Sequence, residues 1–400
     1  MLIRRVEGLI KGKSRFLLVP LLLILLKVLG SVFIYSSTGL DTGDSYWMNP
    51  DKIPIVRQNE ILLENVNRTH SYFYTFVGWD SAWYLSIAFK GYGFYEQSFA
   101  FRPLLPYLSR CMNYLFSNQV LSIVMVTLLS GILWIPFFQK ISEMYMSRLS
   151  SIFITLIFSV SPYNLIFTTV AYSEGIFLLF TLGAFYYFKK EKYYLAAIFS
   201  FLSTLTRPPG VLIAGLMLLE GLKDLDTIKF RKIITSFSPI LTSFLWSLYG
   251  FFSVDRFNQW IYVSEWNSFY TLLDYLGQII PRYGLESLKF PHESLNTITI
   301  LPIFIWISLF SPLYPIYKMF YSNKPIFFYS VFYFLGVILF GTVFSYPRFM
   351  TFMFTIWLSL DFEKVMERKY FSAFLFLYTL LSFSLSIYLW RGFVIGLFIS

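Results

Sequence analysis

The chain has 400 residues, of which 56% are hydrophobic and only 14% are charged, and its formal net charge is +10. A soluble protein of this length could not bury so much apolar surface, since about 25% of the residues in soluble domains are charged. The composition therefore excludes a soluble globular protein and predicts an all-α, polytopic membrane protein. The single cysteine, Cys111, excludes a disulfide framework within the chain and a cysteine-rich metal site.

The first predicted element is a membrane helix near the N-terminus. An apolar run from Phe16 to Tyr35 follows five basic residues, and about 20 apolar residues suffice to span a bilayer. Because the run is too long for the core of a signal peptide, we expect a retained first helix. Lys27 interrupts this helix and is interpreted as a lysine that snorkels or faces the interior of the bundle.

A polar segment follows, and it predicts an outer or lumenal catalytic loop over residues 36–118. It contains the sequence Asn67-Arg68-Thr69, a glycosylation sequon that fits a loop on that side of a membrane. Later in the loop, the stretch 78–110 combines acids, arginines and prolines with many aromatic residues. This mixture of charged and aromatic side chains indicates the part of the loop in which chemistry is expected.

A short helix is predicted inside that stretch. Trp79, Trp83 and Ile87 recur every fourth residue, so they share one helical face that can lie in the membrane interface. Asp80 lies at the start of this helix, where the backbone N–H groups are unpaired. An acid in that position either caps the helix or takes part in chemistry, and the local sequence allows both interpretations.

The rest of the chain alternates apolar runs with short connections. With the first helix, these runs predict about eleven transmembrane helices in a single domain over 1–400, with a second outer or lumenal loop at 254–297. Two close-set pairs of runs are either tightly turned helices or re-entrant segments. The predicted spans after the first are 119–139, 150–170, 174–188, 193–206, 208–220, 233–253, 298–317, 326–344, 347–361 and 371–390.

The positive charge is unevenly divided between the two sides of this topology. With the N-terminus inside, 19 of the 32 basic residues lie on inner segments and 12 lie on outer ones, as the positive-inside rule predicts. The net charge is therefore a topology signal and not a nucleic-acid footprint. We expect the lipid bilayer, and no nucleic acid, as a partner.

The same topology brings unusual residues from four separate segments to the outer side. Single charges at a membrane boundary are often snorkelling anchors, but several that meet near one bundle interior indicate a functional site. Arginines bind phosphate and carboxylates accept protons from hydroxyl groups, so the set fits glycosyl transfer from a lipid-phosphate sugar to a lipid-linked acceptor. The candidate site residues are Trp79, Asp80, Glu96, Arg102, Glu174, Arg207 and Arg348.

Other chemistries have less support in the sequence. The two histidines, His70 and His292, lie far apart in loops, so neither a histidine-based triad nor a zinc site is expected. Walker-type and GxGxxG loops do not occur, which argues against ATP hydrolysis and dinucleotide chemistry. We therefore expect neither a metal nor a cofactor. A weaker alternative is a glycosidase that uses Asp80 and Glu96 as its pair of carboxylates.

At these residues the chain resembles a known family. Trp79-Asp80, Gly91-Tyr92, Tyr95-Glu96 and Phe99-Ala100-Phe101-x-Pro103 look like the first-loop signature of the GPI mannosyltransferase 2 (PIG-V) family. Tyr172-Ser173-Glu174 and Arg207-x-x-Gly210 are similar to that family's next two motifs. The likeness covers residues 79–215, and the hydropathy pattern is similar over the rest of the chain.

This resemblance implies a GT-C fold, with many membrane helices and a catalytic loop after the first. It implies an inverting transferase with a polyprenyl (dolichyl) phosphate mannose donor and a lipid-linked glycan acceptor. The enzyme would lie in the endoplasmic reticulum membrane of a eukaryote or the cell membrane of a microbe. The family's first-loop acid, the usual base, maps onto Asp80. We further hypothesise that Arg102, Arg207 and Arg348 hold the donor phosphate, singly or together.

Two departures from the family pattern leave the acceptor open. Arg102 stands where the family commonly has an aromatic residue, and Pro208-Pro209 replaces a more polar pair. One alternative is therefore a GT-C transferase of another sugar or acceptor, such as a protein or a cell-envelope glycan. A second is a lipid or solute transporter or flippase, which predicts charged or broken helices at the membrane midplane. A third is a membrane subunit without chemistry in a glycosylation complex, and an accessory membrane subunit is also a candidate partner.

Overall fold

The structure is a computed structural model that describes residues 15–38, 70–94, 96–222, 230–254, 307–340, 345–360, 362–366 and 370–394. Every regular element in these ranges is an α-helix or a 3-10 helix, which confirms the predicted all-α fold. Four stretches of helix in them are long and apolar enough to cross a membrane: Phe16–Ser37, Gln119–Ser142, Phe230–Ser253 and Phe371–Val394. Shorter apolar helices lie between them, and the count of eleven spans stays a prediction.

The α-helices follow one another with short connections, and several 3-10 turns join them. Their bounds in chain order are α1 Arg15–Ser37, α2 Asp80–Lys90, α3 Leu104–Phe116, α4 Gln119–Leu133, α5 Ile135–Ser142, α6 Arg148–Val160, α7 Pro162–Phe167, α8 Glu174–Lys189, α9 Tyr193–Thr204, α10 Ile213–Gly221, α11 Phe230–Val254, α12 Leu313–Ser322, α13 Lys324–Phe340, α14 Tyr346–Thr351, α15 Phe354–Leu358, α16 Phe362–Met366 and α17 Phe371–Val394. The second polar loop, 254–297, lies almost wholly outside the described residues, as do the sequon at Asn67 and the first part of the span 298–317.

Two of the predicted spans, 150–170 and 347–361, are interrupted by a residue whose backbone is not helical. The span 150–170 is divided into α6 and α7, because Ser161 is extended and Pro162 cannot continue the hydrogen-bond ladder of α6. The span 347–361 consists of α14 and α15, joined at Met353, whose ψ of 78° is not helical. These breaks leave short helices with free ends inside the bundle, where backbone and side chains from several segments meet.

The helical face predicted to lie in the membrane interface, formed by Trp79, Trp83 and Ile87, is wrong. Trp79 precedes α2 and is not part of its helical surface, because its φ of 50° is outside the helical range. Ile87 is fully buried and packs with Tyr92, Phe99 and Trp246, so this side of α2 faces protein. The helix is therefore held within the fold by the loop that follows it and by α11.

Lys27 lies inside the bundle and is buried, as one of its two interpretations predicted. Its ammonium group donates to the backbone oxygens of Gly131 at 3.2 Å and Thr168 at 2.5 Å. A Cβ atom at Gly131 would lie only 1.9 Å from the oxygen of Thr168, so glycine is needed for this approach. The lysine thus links α1 to α4 and to the segment that leads into α8.

Three backbone-directed hydrogen bonds tie the first loop to the bundle. The N–H of Ala171 donates to the oxygen of Phe76 at 2.7 Å, and the indole of Trp390 in α17 donates to the oxygen of Thr75 at 2.7 Å. The N–H of Leu104, at the start of α3, donates to the oxygen of Leu205, just after α9. These bonds place the start of α2 beside the connection between α7 and α8 and beside the turn after α9.

Candidate active site

Four charged side chains from four segments meet at this junction, and we call them the charged network: Asp80, Glu174, Arg207 and Arg348. The carboxylate of Glu174 accepts hydrogen bonds from Arg207 Nη1 and Arg348 Nε at its Oε1 atom. Arg348 Nη1 also lies 3.3 Å from Asp80 Oδ2. Two acids and two arginines therefore balance in charge within one cluster.

Solvent reaches the members of the charged network to different degrees. The side chain of Glu174 is 1% exposed and that of Arg348 is 6% exposed, whereas Asp80 is 29% exposed. A buried charge is costly unless it is paired, and Glu174 supplies that pairing for both arginines. Asp80 is thus the one carboxylate of the network that is exposed enough for a substrate to reach.

The local backbone explains how Glu174 and Arg207 are positioned. Glu174 is the first residue of α8, where unpaired backbone N–H groups favour a negative charge. Arg207 is extended and precedes the 3-10 turn Pro208–Leu212. A Cβ atom at Gly210 would lie 2.6 Å from the backbone of Ser203, so the turn can pack on the end of α9 only with glycine there. This packing accounts for the Arg-x-x-Gly spacing.

Aromatic rings surround the guanidinium group of Arg348. Its Cζ atom lies 4.6 Å from the ring centres of both Phe167 and Tyr172. The centre of the Phe349 ring lies 5.5 Å from the Cζ atom of Arg348 and 5.2 Å from that of Arg207, so one ring contacts both arginines. Planar guanidinium groups stack well on aromatic rings, and this packing fixes both arginines in place.

Asp80 is held by its backbone as well as by its side chain. Its N–H group donates to the hydroxyl of Tyr172 at 3.1 Å. The preceding residue, Trp79, has φ 50° and ψ −117°, a conformation that costs energy for a side chain of this size. The N-cap of α2 is Trp79 and not Asp80, so the capping interpretation is reduced to a charge in the first turn.

The environment of Asp80 changes its acidity. The residue lies in the first loop, outside the predicted spans. Burial raises the pKa of the Asp80 carboxyl above its ordinary value of 3.8, and the positive charge of Arg348 opposes that rise. A carboxylate with a raised pKa holds a proton more tightly and is a better general base near neutral pH.

Three polar residues beside the network, Tyr84, Tyr172 and Ser173, were not among the predicted site residues. The hydroxyl of Tyr84 lies 2.8 Å from that of Ser173, and Arg207 Nη1 donates to Ser173 Oγ at 3.3 Å. Tyr84 is four residues after Asp80 and therefore on the same side of α2. That spacing was a usable signal for Tyr84, while Ser173 and Tyr172 were visible as part of a motif without a stated role.

The remaining predicted site residues lie outside the charged network. Arg102 stacks on Trp246 of α11, with its Cζ atom 5.6 Å from the ring centre, and makes no ion pair within the described parts of the chain. Trp79 is partly exposed directly before Asp80. Glu96 begins the 3-10 turn Glu96–Ala100, but its side chain lies outside the description. Over the described ranges, no three His, Cys, Asp or Glu residues group as metal ligands.

Several solved structures are similar to this chain at low sequence identity. ArnT from Cupriavidus metallidurans bound to undecaprenyl phosphate is similar with TM-score 0.49 and 10% identity, over 81% of this chain and 75% of that one. The oligosaccharyltransferase of Archaeoglobus fulgidus in its apo form gives TM-score 0.48 and 11% identity, over 96% of this chain and 57% of that one. The chain thus spans little more than half of that longer protein.

A family model gives the firmer result. No curated protein sequence matches the chain, but the model described as Mannosyltransferase (PIG-V) matches residues 13–264. That range covers more than half of the chain and includes Asp80, Glu174 and Arg207, while Arg348 lies beyond it. The match confirms the resemblance that the first-loop, Tyr-Ser-Glu and Arg-x-x-Gly motifs indicated. This integral membrane protein therefore belongs to the mannosyltransferase (PIG-V) family.

Proposed function

We propose that the protein transfers mannose from a polyprenyl (dolichyl) phosphate mannose donor to a hydroxyl group of a lipid-linked glycan, with inversion at the anomeric carbon. The observation that carries the proposal is the partly open carboxylate of Asp80 beside Arg348 in an otherwise buried charged network. The membership of the chain in a mannosyltransferase family supports the sugar and the reaction class.

The proposed reaction is a single displacement at the anomeric carbon. The acceptor oxygen forms a bond to that carbon while the bond from the carbon to the donor phosphate oxygen breaks. The phosphate oxygen keeps the electron pair and leaves as polyprenyl phosphate, and the proton of the acceptor hydroxyl passes to the Asp80 carboxylate. One base on one side of the sugar and a stabilised leaving group on the other give inversion.

The other members of the charged network support this step in the proposal. Arg348 and Arg207 supply positive charge near the leaving phosphate, where negative charge develops in the transition state. Glu174 fixes both arginines through shared hydrogen bonds, so it acts as a positioning residue. Trp79 sets the position of Asp80 and borders the sugar, and Glu96 stays a predicted substrate-binding residue.

We place the reaction on the outer or lumenal side of the membrane. The support is the excess of basic residues on the opposite segments, 19 of 32 in the sequence. The membrane would be that of the endoplasmic reticulum in a eukaryote, where the acceptor is a GPI precursor, and the cell membrane in a microbe. An accessory membrane subunit is compatible with this placement.

One experiment tests the proposal directly. The purified full chain in lipid nanodiscs is given polyprenyl phosphate carrying radiolabelled mannose, together with a lipid-linked glycan acceptor. We expect label to pass to the acceptor in the wild-type chain and to stay on the donor in Asp80→Asn. Parallel assays use donors that carry other sugars and acceptors of other types. Transfer only from a different sugar would overturn the assigned donor while leaving the transferase class intact.

A further inference from the structure

Arg102 lies in an aromatic cluster outside the charged network, and this cluster consists of Arg102, Tyr92, Phe99, Trp246 and Tyr249. The rings of Tyr92 and Trp246 meet edge to face at 5.1 Å, and Phe99 lies 6.2 Å from Trp246. The guanidinium group stacks on Trp246. Burial lowers the pKa of Arg102 to about 10, which leaves the side chain positively charged at neutral pH.

The hydrogen-bonding capacity of Arg102 is incompletely used. Its Nη1 atom is buried and has no hydrogen-bond partner among the described residues. A buried charged donor without a partner is costly, and a guanidinium group presents its donors in a fork that fits a phosphate or carboxylate. The aromatic residues around it supply no such anion, so the cluster is incomplete without an anionic group.

Arg207 and Arg348, the other two arginines predicted to bind the phosphate, have carboxylate partners. Arg207 and Arg348 both bond to the carboxylate of Glu174, and Arg348 also pairs with Asp80. Their charge is already balanced by protein carboxylates in a buried site. Of the three arginines, Arg102 is the one whose charge has no protein counter-ion within the described ranges, and it is the one that departs from the family pattern.

The cluster is connected to the charged network through Phe101, the chain neighbour of Arg102. The ring of Phe101 stacks on Trp83 at 5.7 Å and meets Tyr84 at 5.2 Å. Tyr84 in turn contacts Ser173, which Arg207 also contacts. Arg102 is thus linked to the charged network through Phe101, Tyr84 and Ser173.

An exposed apolar surface borders the cluster on its other side. Tyr249 of α11 and Tyr107 of α3 share a hydrogen bond, and both are exposed over nearly half of their surface. Leu241, Phe244 and Leu245 of α11 are exposed as well, and α11 is long and apolar enough to cross a membrane. This side of α11 therefore faces lipid tails beside the charged group of Arg102.

We propose that Arg102 and the aromatic cluster bind the phosphate of a polyprenyl phosphate, with the isoprenoid tail along the exposed side of α11. The proposal rests on the proposed function for the class of donor. It adds Arg102, whose charge has no protein counter-ion within the described ranges, to the positive charge that Arg207 and Arg348 are proposed to supply near the leaving phosphate. A lipid-linked phosphate is favoured over free inorganic phosphate, because an apolar surface that faces the membrane adjoins the buried Nη1 atom of Arg102.

The test is equilibrium binding to the full chain in nanodiscs, measured by calorimetry with three probes: farnesyl phosphate, farnesol and inorganic phosphate. The variants are Arg102→Ala and Arg102→Lys. The control is Arg110→Ala, because Arg110 is an exposed arginine of α3. We expect Arg102→Ala to weaken farnesyl phosphate binding by about tenfold to hundredfold, the usual loss for one charged hydrogen bond. Farnesol binding and the control should match the wild type.

Arg102→Lys keeps the charge but loses the fork, so it should lose less affinity than Arg102→Ala and provides a folded variant if the alanine form is unstable. Unchanged farnesyl phosphate binding in a folded Arg102 variant would overturn the proposal. Equal losses for farnesyl phosphate and farnesol would also overturn it, since the phosphate would then play no part. If inorganic phosphate binds as tightly as farnesyl phosphate, the lipid source is wrong.

These measurements need no sugar transfer, so they are independent of the proposed function. If the wild-type chain transfers no mannose but Arg102→Ala still loses farnesyl phosphate binding, the function fails and the binding site stands. If transfer occurs and Arg102→Ala binds farnesyl phosphate normally, only the site assignment fails.

Discussion

Arg348 Nη1 lies 3.3 Å from Asp80 Oδ2, although 268 residues separate the two along the chain. The same guanidinium group bonds to Glu174, so a single side chain from α14 joins the acids of α2 and α8. Asp80 is the partly exposed partner and Arg348 is the buried one. This asymmetry leaves Asp80 accessible to substrate while its orientation is set from inside the protein.

The first prediction concerns the role of Asp80. Asp80→Asn keeps the shape of the side chain but cannot accept the acceptor's proton, and general-base catalysis is typically worth about 10²–10⁴ in rate. We expect a loss of that size in mannose transfer per folded molecule, with donor affinity and melting temperature near those of the wild type. Transfer rate and thermal unfolding should be measured on the same preparation.

Asp80→Ala separates this role from a structural one. If the acid only stabilises the first turn of α2, its removal should cost about 0.3–1 kcal/mol in unfolding free energy, with activity per folded molecule intact. Near wild-type transfer by both variants would show that Asp80 is not the base. Two other acids of the first loop in the sequence, Asp44 and then Glu96, would be the next candidates.

Part of this arrangement could be predicted from the sequence, because its signals are local. The composition and the apolar runs predict a helical membrane protein. The residues at the ends of those runs give a candidate set in which Asp80, Glu174, Arg207 and Arg348 stand together with Trp79, Glu96 and Arg102. Each signal depends on a few neighbouring residues. The family match covers residues 13–264 and thus includes every one of these residues except Arg348.

Other features could not be predicted because they depend on contacts between distant segments. Arg348 and Glu174 are 174 residues apart, and no spacing rule connects them. The sequence pattern of α2 is typical of a helix in the membrane interface. In the structure, one side of α2 instead packs on Trp246 of α11, a contact that the local pattern does not encode. The backbone of Trp79, with positive φ, is likewise imposed by its surroundings, since tryptophan itself does not favour that conformation.

The second prediction concerns Tyr172, whose hydroxyl accepts the N–H of Asp80. Tyr172→Phe removes this hydrogen bond but keeps the ring that packs on Arg348. We expect a fall in kcat with little change in KM, because the base would be less well positioned while substrate contacts remain. Steady-state kinetics on the donor and the acceptor would measure both values.

A matched control is Tyr329→Phe. Tyr329 is also buried, but its hydroxyl has no hydrogen-bond partner within the described ranges. Its removal should therefore leave stability and kcat close to the wild type. Equal effects of the two substitutions would assign the Tyr172 result to general packing and not to the position of Asp80.

The third prediction concerns topology. Cys111 is exposed and would react itself, so it is first replaced by serine. Single cysteines are then introduced at Asn67, Asn296 and Lys190. We expect an impermeant thiol reagent added from the outer or lumenal side to label the first two and not the third, as the distribution of basic residues predicts. The reverse pattern would place the charged network on the cytosolic side.

The fourth prediction concerns Glu174, the acid shared by both arginines. Glu174→Gln leaves two buried guanidinium groups without their main counter-ion, and such a loss typically costs about 3–5 kcal/mol. Unfolding monitored by temperature or denaturant should show this loss. The control is Glu191→Gln, an exposed acid, for which a change within about 0.5 kcal/mol is expected.

A double substitution tests whether the cost comes from unpaired charge. Glu174→Gln combined with Arg207→Met removes one charge of each sign, so the double variant should be more stable than Glu174→Gln alone. If the two losses simply add, the pair is not coupled, and the role assigned to Glu174 is wrong.

The fifth prediction concerns pH. Because Asp80 must be ionised to accept a proton, transfer should fall as the pH drops through its pKa, which burial raises above 3.8. Arg348 opposes that rise, so Arg348→Gln should move the half-activity pH further upward, while Arg348→Lys keeps the charge and should move it less. The stability of the folded protein has the opposite dependence on pH. Because the pKa of Asp80 is raised in the folded state, its protonated form favours folding, and this contribution to the free energy of unfolding is lost as the pH rises through that pKa. Rate profiles normalised to folded protein would measure the shift, and an unchanged or lower half-activity pH in Arg348→Gln would show that Asp80 is not the titrating base.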